Sequence, residues 1–411
     1  MNLSFFIAKR LAFTGKKSFS LFITRIAIAA VALSVSVMIL GTAITQGYQK
    51  DIKDKFIAAW GDVHITQFLP DPNGLMNDDK FVRSDSLLDA IRKTPGVAHV
   101  FTYSLQSAIL KSPQEMEGII LKGIEDTSNL HYFKSFLKSG KLNLPRDSSG
   151  YCRNIALSQS LANKLNVKQE DALLLYMVDK DNFQPRARKV KVTAIFSTGV
   201  EDFDQHVILG DQRMIQQFHH EPNHMIQGYE VHLNTVVDAK QSCAALDNLL
   251  TAPITLYPIE KRFASIFSWL GMMKTNERII IIIMMIIAFI NMITALLILI
   301  LERTRMIGVL KTVGMQPSAI RTIFLYNSAF IIVSGVLIGM FVGLGLAYLQ
   351  YHFHFVPLDE SSYFISYVPI YIRPDIIFGI GIGTIFLSLM LMLIPTILVH
   401  KLNPSKAVRF Q

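Results

Sequence analysis

Of 411 residues, 51% are hydrophobic and only 17% are charged, a balance that excludes an ordinary water-soluble enzyme of this length and requires the apolar excess to be housed outside water. The formal net charge is +9, yet residues 47–278 hold 27 basic and 27 acidic side chains, so the whole excess lies in the remainder.

In chain order, residues 1–25 are a short basic segment carrying Lys9, Arg10, Lys16, Lys17 and Arg25. The uncharged run Ile26–Ile44 then predicts a first span over 26–46. It is longer than the apolar core of a secretion signal and no small-x-small cleavage site follows, so it reads as a retained anchor. Three more uncharged runs, Ile279–Leu301, Ile323–Leu349 and Ile376–Val399, predict spans over 279–301, 322–349 and 376–399. Each meets or closely approaches the roughly 20 residues a helix needs to cross a hydrocarbon core.

Residues 47–278 interleave β-rich runs with amphipathic stretches, which predicts a large extracytoplasmic α+β domain of two small subdomains. Strands are expected at Val63–Phe68, Val97–Leu110, Glu117–Ile124, Ala172–Val178, Lys189–Phe196, Val207–Leu209 and Tyr229–Leu233. Helices are expected at Asp85–Lys93 behind the cap residue Ser84, and at Gln159–Leu165, Gln212–Phe218 and Val236–Leu250. The polar stretch 179–188 is expected to be a hairpin loop with Phe183 and Pro185 near its tip. Helical stalks are expected at both ends of the domain: Tyr48, Ile52 and Phe56 recur at i+4, and Phe263, Ile266, Phe267 and Leu270 form a second apolar stripe. Cys152 and Cys243, the only cysteines, both fall in this segment, where a disulfide is permitted but not demonstrated.

Within the spans, Gly335, Gly339 and Gly343 recur every four residues and clear one helix face for a close neighbour. Asn291 is the most polar side chain in the hydrophobic middle, and Pro395 is expected to kink the fourth span.

The segments 1–25, 302–321 and 400–411 sum to +11, whereas the loop 350–375 carries −2. Short cytoplasmic loops collect Lys and Arg, so both termini and the 302–321 loop are expected inside and residues 47–278 outside. The basic balance thus describes topology, and nucleic acid is not an expected partner.

Catalytic motifs fail on inspection. His220-Glu221-Pro222-Asn223-His224 matches the H-E-x-x-H pattern only formally, because Pro222 blocks the helix that would put both histidines on one face and no third ligand is identifiable. The chain contains neither a G-x-x-x-x-G-K-[ST] phosphate loop nor a G-x-S-x-G elbow, so no hydrolysis of ATP and no metal site is expected of it.

The inner loop is more informative. Over 301–314, Met306, Ile307 and Leu310 are predicted to share one side of a short helix, with Arg303, Arg305 and Lys311 elsewhere; Gly314 stops it and Pro317 opens the next. Such an amphipathic helix between two spans suits docking into a groove on a cytosolic partner.

Together these features resemble the permeases of the lipoprotein-releasing (Lol-type) branch and the macrolide-exporter type of ABC transporter, within the wider FtsX-type superfamily. The resemblance rests on the coupling-helix pattern Glu302, Arg303, Ile307, Gly308, Leu310, Lys311, Val313 and Gly314, and on the C-terminal Asn403, Pro404, Ala407, Val408 and Arg409. Phe6–Leu11 and the domain's Leu161, Ala162, Leu165 and Asp171 also fit; Ser158 and Glu170 depart, standing where the family commonly has glycine.

The resemblance implies a non-catalytic permease that binds no cofactor itself, with ATP and Mg on two cytosolic ATPase subunits, and that pairs with a second copy or a paralogue. Its cargo would be lipoproteins taken from the inner membrane and passed to a periplasmic carrier; a macrolide or peptide exporter and a regulator of cell-wall hydrolases are the alternatives. It further implies ATPase coupling through Glu302, Arg303, Arg305, Ile307, Gly308, Leu310, Lys311 and Gly314. Carrier contact would fall to Phe183, Pro185, Arg186 and Arg188, and a cargo cavity to Met38, Met285 and Asn291.

Overall fold

The first apolar run lies inside α1, a single helix from Phe19 to Trp60 in the computed structural model. The structure describes residues 19–68, 79–125, 133–145, 150–178, 185–222, 224–234, 239–359 and 365–393. They divide into two units: Asp51–Trp269 with Leu358–Ser366, and the described residues up to Lys50, Leu270–Pro357 and those from Tyr367.

In the first unit the chain continues through β1 (Val63–Gln67), β2 (Phe81–Val82), α2 (Asp85–Lys93), β3 (Val97–Lys111), β4 (Met116–Ile124), β5 (Leu137–Gly140) and β6 (Asn154–Ser158). Next come α3 (Gln159–Lys164), β7 (Ala172–Val178), β8 (Pro185–Phe196), α4 (Glu201–His206), β9 (Val207–Asp211) and α5 (Gln212–Phe218). The unit ends with β10 (Met225–Ile226), β11 (Gly228–Leu233), α6 (Ala239–Asp247), β12 (Ile254–Pro258) and α7 (Ile259–Arg262).

Local signals explain several boundaries. The Ser84 hydroxyl accepts from the Leu87 N–H at 3.2 Å and starts α2, whose Leu88 and Ile91 are buried. Ser158 starts α3 the same way, accepting from Leu161 N–H at 3.0 Å. The glycine expected at 158 is therefore replaced by a working cap.

The strands join in the order β12-β1-β11-β3-β4-β9-β6-β8-β5, with β7 paired to both β3 and β8. On one edge of β3, residues 97–103 pair with β11 and Ala108–Lys111 pair with β7, while the other edge pairs with β4. As a result β3, β4, β9, β6, β8 and β7 close into a ring, completed where Ala156 bridges Leu209. Leu110, Leu121, Ile155, Leu175, Val192 and Ile208 fill it, with Met214 and Phe218 of α5. A second core gathers Ile65, Leu88, Ile91, Tyr229, Val231 and Leu246 around β1, β11, α2 and α6. The two expected subdomains are thus two cores sharing one strand, β3.

The other unit contains the membrane-crossing part of α1 with α8 (Ala264–Glu302), α9 (Thr304–Thr312), α10 (Pro317–Phe353) and α11 (Pro374–Leu391). α1, α8, α10 and α11 are each long and apolar enough to span a membrane. The glycine stripe of α10 faces α1. A Cβ on Gly339 would come 2.6 Å from the Ala32 carbonyl oxygen, and one on Gly335 would come 2.8 Å from Val31 Cβ. That close approach lets Ser36 Oγ donate to the Gly339 carbonyl at 2.9 Å. Pro395, the end of the fourth predicted span, the opening Phe6–Leu11 and the C-terminal Asn403–Arg409 motif lie outside the described residues.

Candidate functional site

The inner loop folds as a short helix that ends at Gly314 and carries Met306, Ile307 and Leu310 on one side, as predicted. Gly314 has φ +92°, and the bonds Gly314 N–H to Lys311 carbonyl (3.1 Å) and Met315 N–H to Leu310 carbonyl (2.9 Å) close a glycine-type helix stop. Gln316 then caps α10, with Pro317 in its first turn. Ile307 and Gly308 are buried, and Met306 and Leu310 pack partly buried against the core of the spans. The apolar side of α9 therefore fastens the helix to its own bundle and is not the surface left for a partner. Glu302, Arg305, Val309, Thr312, Val313 and Gly314 form the exposed side. Val309 is 56% exposed and Val313 81%, one turn apart on that side.

The expected loop 179–188 is shorter than predicted. Pro185, Arg186 and Arg188 belong to β8, where Val178 pairs with Pro185, Met177 with Arg186 and Leu175 with Arg188. Alternation of Arg186 and Arg188 with Ala187 and Lys189 continues the strand outward, and Pro185 is tolerated because it is the strand's first residue. Phe183 lies outside the described residues.

His219 and His220, at the start of the H-E-x-x-H match, are both engaged with other side chains. His219 Nε2 lies 2.6 Å from Gln106 Oε1, Arg186 Nη1 meets His220 Nε2 at 3.2 Å, and Glu221 pairs with Lys80 at 2.8 Å. His220 has φ +53°, beyond the end of α5, so the two histidines share no helix. Cys152 is buried with its thiol directed to the Asn143 carbonyl, and Cys243 sits half-buried in α6, so no disulfide joins them.

The three expected cavity residues part company. Met38 is completely buried in the core of the spans and lines no accessible surface of this chain. Met285 is half-buried and Asn291 is exposed on α8.

A buried ionic cluster in the domain escaped the sequence. Lys122 Nζ of β4 pairs with Glu230 Oε2 of β11 at 2.6 Å, donates to the Ala59 carbonyl at 2.7 Å and lies 4.8 Å from the Trp60 ring centre. His232 Nε2 stands 3.2 Å from Glu230 Oε1. His64 Nε2 donates to the Trp60 carbonyl at 2.5 Å, which leaves Nδ1 to accept from Tyr103 Oη at 3.3 Å and fixes one neutral tautomer. Burial, reinforced by the Arg262 charge, lowers His64 to about 3. Burial alone would raise Glu230, but Lys122 and His232 outweigh it and hold the carboxyl at about 2. Burial lowers Lys122, only partly countered by Glu230. No local pattern announces this cluster, since its members come from α1, β1, β4, β11 and α7.

A family model described as MacB-like periplasmic core domain matches residues 24–249, and one described as FtsX-like permease C-terminal matches residues 278–404. The chain belongs to the MacB/FtsX family of ABC transporter permeases. It is a multi-pass membrane protein with a periplasmic core domain, the non-catalytic permease part of an ABC transporter, a family that works with ATPase partners.

Among curated relatives it is similar to the lipoprotein-releasing system transmembrane protein LolC of Xylella fastidiosa (22% identity over 413 residues, 96% of each chain). It is also similar to LolC of Neisseria meningitidis serogroup B (24% over 426 residues, 96% of each) and LolE of Haemophilus influenzae (20% over 424 residues, 99% of each). Among solved structures, the periplasmic region of MacB from Actinobacillus actinomycetemcomitans aligns with 51% of this chain and 95% of that one, at 14% identity and a TM-score of 0.37.

Proposed function

We propose that this MacB/FtsX-type permease extracts lipoproteins from the inner membrane and passes them to a periplasmic carrier. The observation that carries this reading is the end-to-end similarity to LolC and LolE proteins, which takes in domain, spans and inner loop in one order. The permease pairs with a second copy or a paralogue and with two cytosolic ATPases that hold ATP and Mg. Its termini and α9 face the cytoplasm, in keeping with the +11 on those segments.

In this mechanism the exposed side of α9 around Arg305, Val309 and Val313 meets the ATPase. Buried Ile307 and Gly308 then carry the displacement into the bundle, which needs two packed arrangements and no chemistry in this chain. Pro185, Arg186, Arg188 and Phe183 at the β7–β8 hairpin are the proposed carrier contact; Met285 and Asn291 on α8 face the proposed cargo path.

Depletion of the protein followed by membrane fractionation tests the proposal. Acylated lipoproteins should accumulate in the inner membrane. Normal lipoprotein sorting together with a retained drug or unseparated cells would assign the permease to export or to control of cell-wall hydrolysis instead.

A further inference from the structure

Outside the strand ring the domain holds a pocket of about 540 Å³, a size typical of small-molecule sites. Phe56 and Trp60 of α1, Phe203 of α4 and Phe263 just after α7 form its aromatic wall. Their rings pack on one another: Trp60 meets Phe203 at 5.3 Å and Phe263 at 5.6 Å, and Phe56 meets Phe263 at 5.4 Å between centres. Gly118 and Ile120 of β4 supply the sheet side. The polar residues of the lining, Ser107, His206 and Ser265, are all exposed at the rim, whereas Phe56, Trp60 and Phe203 are buried.

An apolar interior with a wet polar rim fits an amphiphile that buries its tail and leaves its head in water. A peptide segment would bring backbone N–H and C=O groups that an aromatic wall cannot satisfy. The apolar surface also continues past the pocket. Ile109 lies opposite Gly118, and Met116 and Leu174 share the same face of the sheet; all three are exposed. Gly118 keeps the site open, because a Cβ there would meet nothing within 4 Å.

We propose that this pocket binds one long acyl chain, with the headgroup at the Ser107, His206 and Ser265 rim. The site goes beyond the proposed transport function and does not depend on it, since acyl chains are offered by phospholipid as well as by lipidated polypeptide.

The test uses the full chain in phospholipid nanodiscs with two probes carrying a diazirine near the end of a palmitoyl chain, one a phospholipid and one a diacylglyceryl-cysteine peptide. After irradiation, adducts mapped by mass spectrometry should fall on the 56–60 and 203–207 segments. In Gly118→Leu those adducts should drop about tenfold, the displacement of a couple of methylenes from the pocket, while adducts on the spans persist. Ser107→Leu at the exposed rim provides a second blocking variant should the first unfold. Labelling by the phospholipid identifies a membrane-lipid site, and labelling by the peptide probe alone identifies a cargo site; either supports the assignment. Absence of acyl adducts at both segments, undiminished adducts in both variants, or preferential labelling by an unacylated photo-leucine peptide overturns it.

Discussion

Lys122 Nζ lies 2.6 Å from Glu230 Oε2 with both side chains enclosed, so a full positive and a full negative charge neutralise each other under the Trp60 ring. Removing one member strands the other, which typically costs about 3–5 kcal/mol, more than the pair itself contributes. Lys122→Met should therefore destabilise the domain by about that much in denaturant unfolding, and Lys122→Met with Glu230→Gln should recover a large part. Equal loss in the single and double variants would show that the pair is not coupled.

His64 makes the same region acid-sensitive. Its pKa is about 3 in the folded protein against 6.5 in the unfolded chain, so between those values the unfolded state binds the extra proton. Stability is complete above pH 6.5 and falls by a few kcal/mol as pH drops toward 3. Glu230, held at about 2 against 4.5, adds its own loss only below pH 4.5. His64→Gln keeps a donor for the Trp60 carbonyl and should flatten the melting temperature between pH 6.5 and 4.5.

On α9 the buried and exposed sides predict opposite phenotypes. Val313→Asp or Arg305→Glu should leave thermal stability within about 0.5 kcal/mol, as surface changes do. Permease-dependent ATPase activity should nonetheless fall about tenfold, the loss of one modest interface contact. Ile307→Asp should instead unfold the bundle. The proposed docking side is wrong if Val313→Asp leaves ATPase coupling intact.

Gly339→Leu cannot fit, since even a Cβ would come 2.6 Å from the Ala32 carbonyl oxygen. The expected result is loss of folded protein in membranes. Ser36→Ala, which removes the hydroxyl shared between the Ala32 carbonyl at 2.8 Å and the Gly339 carbonyl at 2.9 Å, should cost about 0.6 kcal/mol in a membrane-unfolding assay.

Glu170 departs from the family's glycine and adopts φ +78°, a conformation that strains an L side chain by about 1–2 kcal/mol. Its ion pair with Lys191 at 2.5 Å is solvent-exposed and returns little. Glu170→Gly should stabilise the domain by about 0.5–1 kcal/mol, read as a higher melting temperature.

The spans, the caps at Ser84 and Gly314 and most strands of the domain were legible because each rests on a local signal: run length, capping chemistry or alternation. Short strands such as Leu137–Gly140, Asn154–Ser158 and Ile254–Pro258 lacked one, being defined by their partners in the sheet. The reach of β8 back to Pro185 was hidden because its outer half alternates Arg with Ala and Lys, polar on the edge where no core enforces a pattern. The inner helix itself was visible, but which side faced the bundle was not. Amphipathicity shows that Met306, Ile307 and Leu310 seek apolar company, not whether that company is a partner or the chain itself. The Lys122–Glu230 pair and the aromatic pocket depend on residues far apart in sequence and had no local signature.

The strand ring is built from one contiguous stretch, β3 to β9, whereas the neighbouring core needs β1 from the start of the domain and β11 and β12 from its end. A chain emerging N-terminus first can therefore complete the ring while its last strands are still being synthesised. β1 must wait, unpaired, until residues 228–258 arrive. Mutations in the ring should thus slow the birth of the domain, while those in β11 or β12 should expose a finished ring beside an open edge, the state most prone to aggregate or to be degraded.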